Sequence, residues 1–269
     1  MNKIGNKYSI SSLTNEKIKI INSLSQRKYR KQLNLFVAEG IRLCKEALDK
    51  NWEIKYLLYD KDKADDELVM KLIDQVISRG GDALEVTFNI LSKISHKENA
   101  QNVLGVIEQK WSNLPKQLNK ETWVALECVR DPGNLGTIFR TMDAVGAKGC
   151  FLIDECTDPF SYEAVRASMG AIFNINIISI NSKEFIEWRK EGLFTLIGTS
   201  LNDATDYRKA RWSLPFILLM GNEQRGLSDK LIAECDQLIK IPMLGSSDSL
   251  NLAVSTGVAL YESIRKNPI

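Results

Sequence analysis

Three loops of this 269-residue chain carry side chains whose types and spacing suit chemistry better than packing. The first reads Glu127-Cys-Val-Arg-Asp-Pro-Gly-Asn-Leu-Gly-Thr-Ile-Phe-Arg140. Asp131-Pro-Gly133 is a turn, and Asn134 is a good N-cap for the helix that follows. On that helix Leu135, Ile138, Phe139, Met142 and Val145 form one apolar stripe, and Arg140 lies well off it. Gly136 sits one turn earlier on the same face, leaving room for a ligand to reach the guanidinium. Spacing alone leaves two readings open: a functional arginine, or a capped helix with a solvated one.

The second loop, Leu219-Met-Gly-Asn-Glu-Gln-Arg-Gly-Leu-Ser228, follows a very apolar strand. Gly221 and Gly226 bracket four polar or charged residues there, where glycines permit close backbone approaches. It is neither a dinucleotide fingerprint nor a Walker loop, since neither spacing is present. An ordinary strand-to-helix turn with Ser228 as N-cap is the competing reading. The third loop, Ile241-Pro-Met-Leu-Gly-Ser-Ser-Asp-Ser-Leu-Asn251, leads into a last helix that is small and apolar around most of its circumference. Such a helix is buried on several sides, as at a protomer interface. Ser249 and Asn251 at its entrance also suit simple capping. A fourth segment, Ala164-Val-Arg-Ala-Ser-Met-Gly-Ala171, packs small residues around Arg166 and Ser168 and reads as a tight helix against the sheet.

The elements that must hold these loops follow from periodicity. Strands are expected at 123–128, 150–153, 175–178, 194–198, 216–220 and 238–241, with helices between them and a last helix from about 251 to 265. Buried strands alternating with helices imply an α/β domain over 122–269 with a parallel sheet covered on both faces, and ligands beyond the carboxyl ends of its strands. Before it, residues 1–109 form a small α/β module. It has a helix over 11–31, a strand at 35–38, a helix opened by Glu39-Gly40, a strand at 54–59, a helix over 61–80, a short helix near 89–94 and a strand at 102–107. Residues 110–121, with Pro115 and no periodicity, read as the linker.

Composition narrows the partners. Basic and acidic side chains number 36 and 34, so whole-chain charge names none, but residues 1–31 hold eight basic groups, Lys3 and Lys7 among them, against one acid, Glu16. That asymmetry points to a polyanion. The longest clean apolar run, Phe216–Met220, is far below the ~20 residues of a membrane span, and no apolar stretch follows the N-terminal lysines. Cys44, Cys128, Cys150, Cys156 and Cys235 are scattered, without a CxxC pair, and His96 is the sole histidine. This excludes a zinc site or disulfide framework and fits reduced thiols in a cytoplasmic protein.

In order and spacing, Asn134-x-Gly136-x-x-x-Arg140, Gly221-Asn-Glu-Gln-x-Gly226-Leu227, and Ile241-Pro-Met243 followed by Ser249-Leu-Asn251 resemble the SpoU/TrmH group of the SPOUT RNA methyltransferases. Arg166-Ala-Ser-x-Gly170 fits a lesser feature of that family. The N-terminal part resembles the family's ribosomal-protein-like RNA-binding module through Ile10-Ser-Ser-Leu-x-Asn15, the basic stretch and Phe36-Val-Ala-Glu-Gly40-x-Arg42. Ala38 departs from the family's usual valine or isoleucine, with no functional consequence.

The resemblance implies a trefoil knot at the C-terminal end of the sheet and a homodimer formed through it. It also implies S-adenosylmethionine held by Thr199, Gly221, Ile241, Met243, Ser249 and Leu250. The implied reaction is methyl transfer to a ribose 2′-hydroxyl, with Arg140 as the family's catalytic arginine by position and Asn134, Glu223, Ser249 and Asn251 completing the pocket. Residues 122–269 contain no histidine base, and a guanidinium holds its proton above pH ~12, so Arg140 is expected to orient a phosphate and stabilise a developing alkoxide. Lys17, Lys19, Arg27, Lys28, Arg30 and Lys31 are the expected RNA contacts, with ribosomal RNA favoured over transfer RNA and no metal or membrane partner. The rival readings are a non-catalytic RNA-binding assembly or resistance factor, and a nucleotide-dependent enzyme on an ordinary doubly wound sheet. The intact polar set argues against the first, and the missing phosphate-cradling loop against the second.

Overall fold

A computed structural model describes residues 4–201 and 203–267, and these divide into two compact units. Lys3, counted in the basic leading segment, lies outside the described residues. The first unit comprises residues up to 110 together with 158–173. Its strands are β1 (Lys7–Ile10), β2 (Leu35–Glu39), β3 (Ile54–Asp60), β4 (Asp82–Val86) and β5 (Val103–Glu108). Its first five helices are α1 (Glu16–Ser23), α2 (Arg27–Leu33), α3 (Ile41–Asp49), α4 (Glu67–Ser78) and α5 (Phe88–Ser95). The sheet runs β1-β4-β3-β5-β2, with β5 antiparallel to both its neighbours. Ile18 and Ile21 of α1 and Ile90 and Leu91 of α5 cover one face over Leu58, Leu84 and Leu104. Each such burial contributes about 1.5–3 kcal/mol.

The helix expected over 11–31 is two helices, broken at residues 24–26. The break has a built-in remedy. The Arg30 guanidinium takes up the Leu24 and Ser25 carbonyls at 2.8 and 2.9 Å and pairs with Asp158 at 2.7 Å. Arg30 is thereby buried and structural, which corrects its expected role as an RNA contact. Helix α4 begins at Glu67 and not at Lys61, because Asp66 accepts from the Leu68 and Val69 N–H groups and caps it there. Strands β1 and β4 were not anticipated, because both are short and neither KYSI nor DALEV shows a clean alternation.

Residues 158–173 were expected within the C-terminal domain, yet they pack with the first unit. The reason is aromatic. Phe160 lies 4.9 Å from Phe36 and Phe173 lies 5.3 Å from Trp52, centroid to centroid, and the Trp52 Nε1–H donates to the Phe173 carbonyl at 3.2 Å. The Tyr162 hydroxyl donates to Glu39, which also accepts from Lys97 at 2.6 Å and the Gln101 N–H at 2.9 Å. The small-residue helix around Arg166 and Ser168 therefore lies against β2 of this unit, with Ser168 buried and bonded to Val165 O at 2.7 Å.

The second unit comprises 111–157 and the chain from 174 onward. It contains β6 (Thr122–Glu127), α6 (Pro132–Ala144) and β7 (Gly149–Ile153). After α7 (Tyr162–Ser168), which belongs to the first unit, come β8 (Asn176–Ile180), α8 (Ser182–Glu191), β9 (Thr195–Thr199), the unanticipated β10 (Thr205–Asp206), β11 (Phe216–Met220), α9 (Asp229–Ile232), β12 (Gln237–Lys240) and α10 (Leu252–Lys266). Every pairing in the sheet β10-β12-β9-β11-β6-β7-β8 is parallel. β7 and β11 are buried at every position, as a sheet covered on both faces requires. The strand order has one decisive effect: β12, β9, β11 and β6 are adjacent, so the loops after their carboxyl ends meet at one edge.

Of residues 110–121, read as a linker, the stretch from 111 onward is fastened along this unit. Leu118 enters the core, the Trp188 Nε1–H donates to Pro115 O at 2.7 Å, and the Ser112 N–H donates to Ile177 O at 2.8 Å.

Candidate functional site

The first loop enters α6 through Asp131, whose carboxylate accepts the Asn134 N–H at 2.6 Å, with Pro132 in the first turn. Asp131, not Asn134, is the N-cap, because its side chain already satisfies that open amide. The correction frees the Asn134 side chain for other work. Its Nδ2 donates to Glu223 Oε1 at 3.4 Å, and its Oδ1 accepts from Asn251 Nδ2 at 2.9 Å. Asn251 at the same time caps α10, its Oδ1 accepting from the Ala253 and Val254 N–H groups at 2.9 and 3.3 Å.

Glu223 also accepts from the backbone N–H groups of Arg130 and Asp131 at 3.2 and 3.1 Å. Burial alone would raise its carboxyl, but its own backbone N–H, those of Asp131 and Arg130 and the Asn134 amide outweigh it and hold the group below the usual range. Glu223 is therefore an ionised anchor between loops, poorly suited to taking a proton near neutral pH.

A second carboxylate ties β6 to the far end of the glycine-bracketed loop. Buried Glu127, at the end of β6, accepts the Ser228 N–H at 2.8 Å and the Ser228 hydroxyl at 2.5 Å. Ser228 precedes α9 but makes no side-chain cap, since its hydroxyl points to Glu127. Between these clamps the glycine-bracketed loop folds back on itself. A Cβ on Gly221 would meet Gly226 and Leu227 backbone atoms at 2.1–2.4 Å, and Gly226 has φ +68°. The Asn222 side chain accepts from the Gln224 and Arg225 N–H groups at 3.0 and 3.1 Å and donates to the Cys128 carbonyl at 2.8 Å.

Beside this loop, at the carboxyl edge of the sheet, lies a cavity of about 570 Å³. Thr199, Gly221, Ile241, Met243, Ser249 and Leu250, far apart in sequence, all line it. Glu223 lines it as well, whereas Asn134 and Asn251 stand behind Glu223 and are not in the wall. Arg140 is also outside the wall. It is exposed and has no ion pair among the described residues. Gly136 is buried, so the space beside it is filled by protein and is no approach for a ligand. Sequence reasoning missed Asp229, Lys240, Asp248 and Leu252 in the wall. Lys240 had a signal, being the last residue of a strand that leads into a chemistry-bearing loop.

Residues 121–261 match the SpoU rRNA Methylase family. The chain belongs to that family. Residues 15–105 match the MRM3-like substrate binding domain. A crystal structure of an rRNA methyltransferase from Sinorhizobium meliloti is 43% identical, with TM-score 0.91 over 97% of this chain and 99% of that one. Its AdoMet-bound form gives TM-score 0.90, also at 43% identity, over 97% and 98%. The 23S rRNA (guanosine(2553)-2'-O)-methyltransferase RlmP of Bacillus subtilis is 29% identical over 255 residues, covering 94% of this chain and 97% of RlmP. The SpoU methyltransferase AviRb from Streptomyces viridochromogenes, in complex with AdoMet, is 27% identical, with TM-score 0.86 over 94% and 98%.

For a SpoU chain the cofactor to test against the cavity is S-adenosylmethionine, and the residues present fit it. The volume is within the ~300–1,000 Å³ of small-molecule sites. Ile241, Met243 and Leu252 offer apolar surface to a flat heterocycle, Thr199 and Ser249 offer hydroxyls, and Asp229 and Asp248 offer carboxylates to positive groups. Among the described residues there is no group of three or more His, Cys, Asp or Glu placed to hold a metal, and no helix long and apolar enough to cross a membrane. Of the expected RNA contacts, Lys19, Arg27, Lys28 and Lys31 are exposed. Lys17 is paired with Asp82 at 2.8 Å and stands over the Tyr8 ring at 4.1 Å, so only part of it faces solvent.

Proposed function

We propose that this protein transfers a methyl group from S-adenosylmethionine to a ribose 2′-hydroxyl of ribosomal RNA. The observation that carries the reading is the gathering of all six expected cofactor positions in the wall of one cavity, against the Glu223–Asn134–Asn251 linkage. When bound, S-adenosylmethionine supplies a methyl already activated on a positively charged sulfur. The protein's share is then alignment and electrostatics. Ile241, Met243 and Leu250 hold the apolar end, and Thr199, the Gly221 backbone and Ser249 set its orientation. Asn134 and Asn251 lock the two loop ends that frame the opening.

With no histidine in residues 122–269 and Glu223 occupied by backbone amides, no side chain of this set is a ready base. Arg140 orients an RNA phosphate and stabilises the developing alkoxide as the 2′-oxygen gives up its proton to solvent water.

Residues 1–109 act as the RNA-gripping module, through Lys19, Arg27, Lys28 and Lys31 with a smaller share from Lys17. Exposed Leu250, Val254 and Tyr261, at and along α10, support pairing of two copies through the second unit. A ribosomal substrate places the protein in the cytoplasm. The test is transfer of labelled methyl to ribosomal RNA from cells lacking the gene, followed by ribose-methylation mapping. One newly protected ribose is expected; label confined to transfer RNA, or absent, would overturn the reading.

A further inference from the structure

The cavity wall holds two side chains that its expected occupant does not explain. S-adenosylmethionine bears a sulfonium, an ammonium and one carboxylate, so it carries a net positive charge. Arg225, from the loop after β11, and Lys240, from the end of β12, nevertheless both line the cavity. Both are exposed, and neither cationic group has an ion-pair partner among the described residues. The Asn222 side chain fixes the Arg225 backbone by accepting its N–H at 3.1 Å, leaving the guanidinium unengaged. Glu223, Asp229 and Asp248 of the same wall already supply the negative charge that a sulfonium and an ammonium call for, so the two cations do nothing for the positive end of the cofactor. They suit an anion at the opening, and a nucleotide chain brings one phosphate per residue to it.

We propose that Arg225 and Lys240 form a phosphate-gripping rim that holds the RNA backbone beside the target ribose at the mouth of the cofactor cavity. The inference rests on the methyl-transfer reading and adds to it a further RNA contact on the catalytic unit, in addition to Arg140 and to the N-terminal basic helices. Arg225 supplies a planar fork for two phosphate oxygens, and Lys240 supplies a point charge. The cofactor's carboxylate is the other anion these groups might be supposed to serve, and affinity measurements separate the two.

The full-length protein with Arg225→Gln, Lys240→Gln and both together is compared with wild type. Four quantities are read: KM for ribosomal RNA, the salt dependence of RNA binding, and the Kd values of S-adenosylmethionine and of its neutral product S-adenosylhomocysteine. The expected result is a rise in RNA KM of about tenfold in the double variant, and a salt slope shallower by about one for each residue removed. Cofactor should bind unchanged or tighter relative to the neutral product, and Arg225→Lys should recover part of the RNA affinity. An unchanged RNA KM and salt slope would overturn the proposal. So would parallel weakening of both cofactor forms, which would assign the cations to the carboxylate. A wild-type protein that binds neither cofactor form sinks the methyl-transfer reading instead, while loss of RNA affinity in the variants, measured without cofactor, would still support the rim.

Discussion

Asn251 donates its side-chain amide to Asn134 Oδ1 at 2.9 Å while its own Oδ1 caps α10. One residue thus ends a loop, starts a helix and steadies a group 117 positions away in sequence. The two tasks use different atoms, so substitutions can separate them. Asn251→Asp keeps the capping oxygen and removes the donor; it should retain near-wild-type stability and lose most methyl transfer. Asn251→Ala should lose both, with about 1 kcal/mol of stability lost with the cap. Thermal unfolding and single-turnover methylation, measured side by side, check the split.

Glu223 has the opposite character, a carboxylate held ionised by backbone donors. Because its folded-state pKa lies below the unfolded value, its stabilising effect is full above that unfolded value, about 4.3. It fades as pH falls through the lower folded-state value. Glu223→Gln should therefore unfold at lower urea concentration than wild type at pH 7, with the gap closing as the pH is taken below about 4. Urea titrations across pH 3–7 test this, and a gap that is constant over the range would exclude the ionised anchor.

Arg140 lies outside the cavity wall, so its removal should spare the cofactor. Arg140→Ala should abolish methyl transfer, a loss of at least about 100-fold by analogy with removal of one oxyanion donor. S-adenosylhomocysteine binding should stay within about twofold, and Arg140→Lys should not restore the rate, since a point charge lacks the planar fork. Calorimetric titration alongside a methylation assay distinguishes this from a cofactor-binding role.

The basic leading segment divides into two classes of residue. Arg30→Ala leaves buried Asp158 and the Leu24 and Ser25 carbonyls without their partner, and should cost about 3–5 kcal/mol of stability. Arg27→Gln, Lys28→Gln and Lys31→Gln should leave stability within about 0.5 kcal/mol and weaken RNA binding in a salt-dependent way. Denaturant midpoints and RNA titrations at several salt concentrations give both halves of the contrast.

Periodicity alone was enough for the parallel α/β architecture, because a strand buried on both faces must be written in continuous apolar residues such as Phe216–Met220. Motif spacing was enough for the loops that matter, because Gly221 and Gly226 answer a purely local demand of a chain doubling back. Tertiary structure decided which polar groups remain available. Asp131 took the cap that sequence assigned to Asn134, and a helix break claimed Arg30. Aromatic contacts with Phe36 and Trp52 drew residues 158–173 away from the C-terminal unit. These outcomes share a cause: hydrogen-bond and ion-pair partners are chosen by distance in space, and residues 30 and 158, or 134 and 251, become neighbours only once the chain has folded.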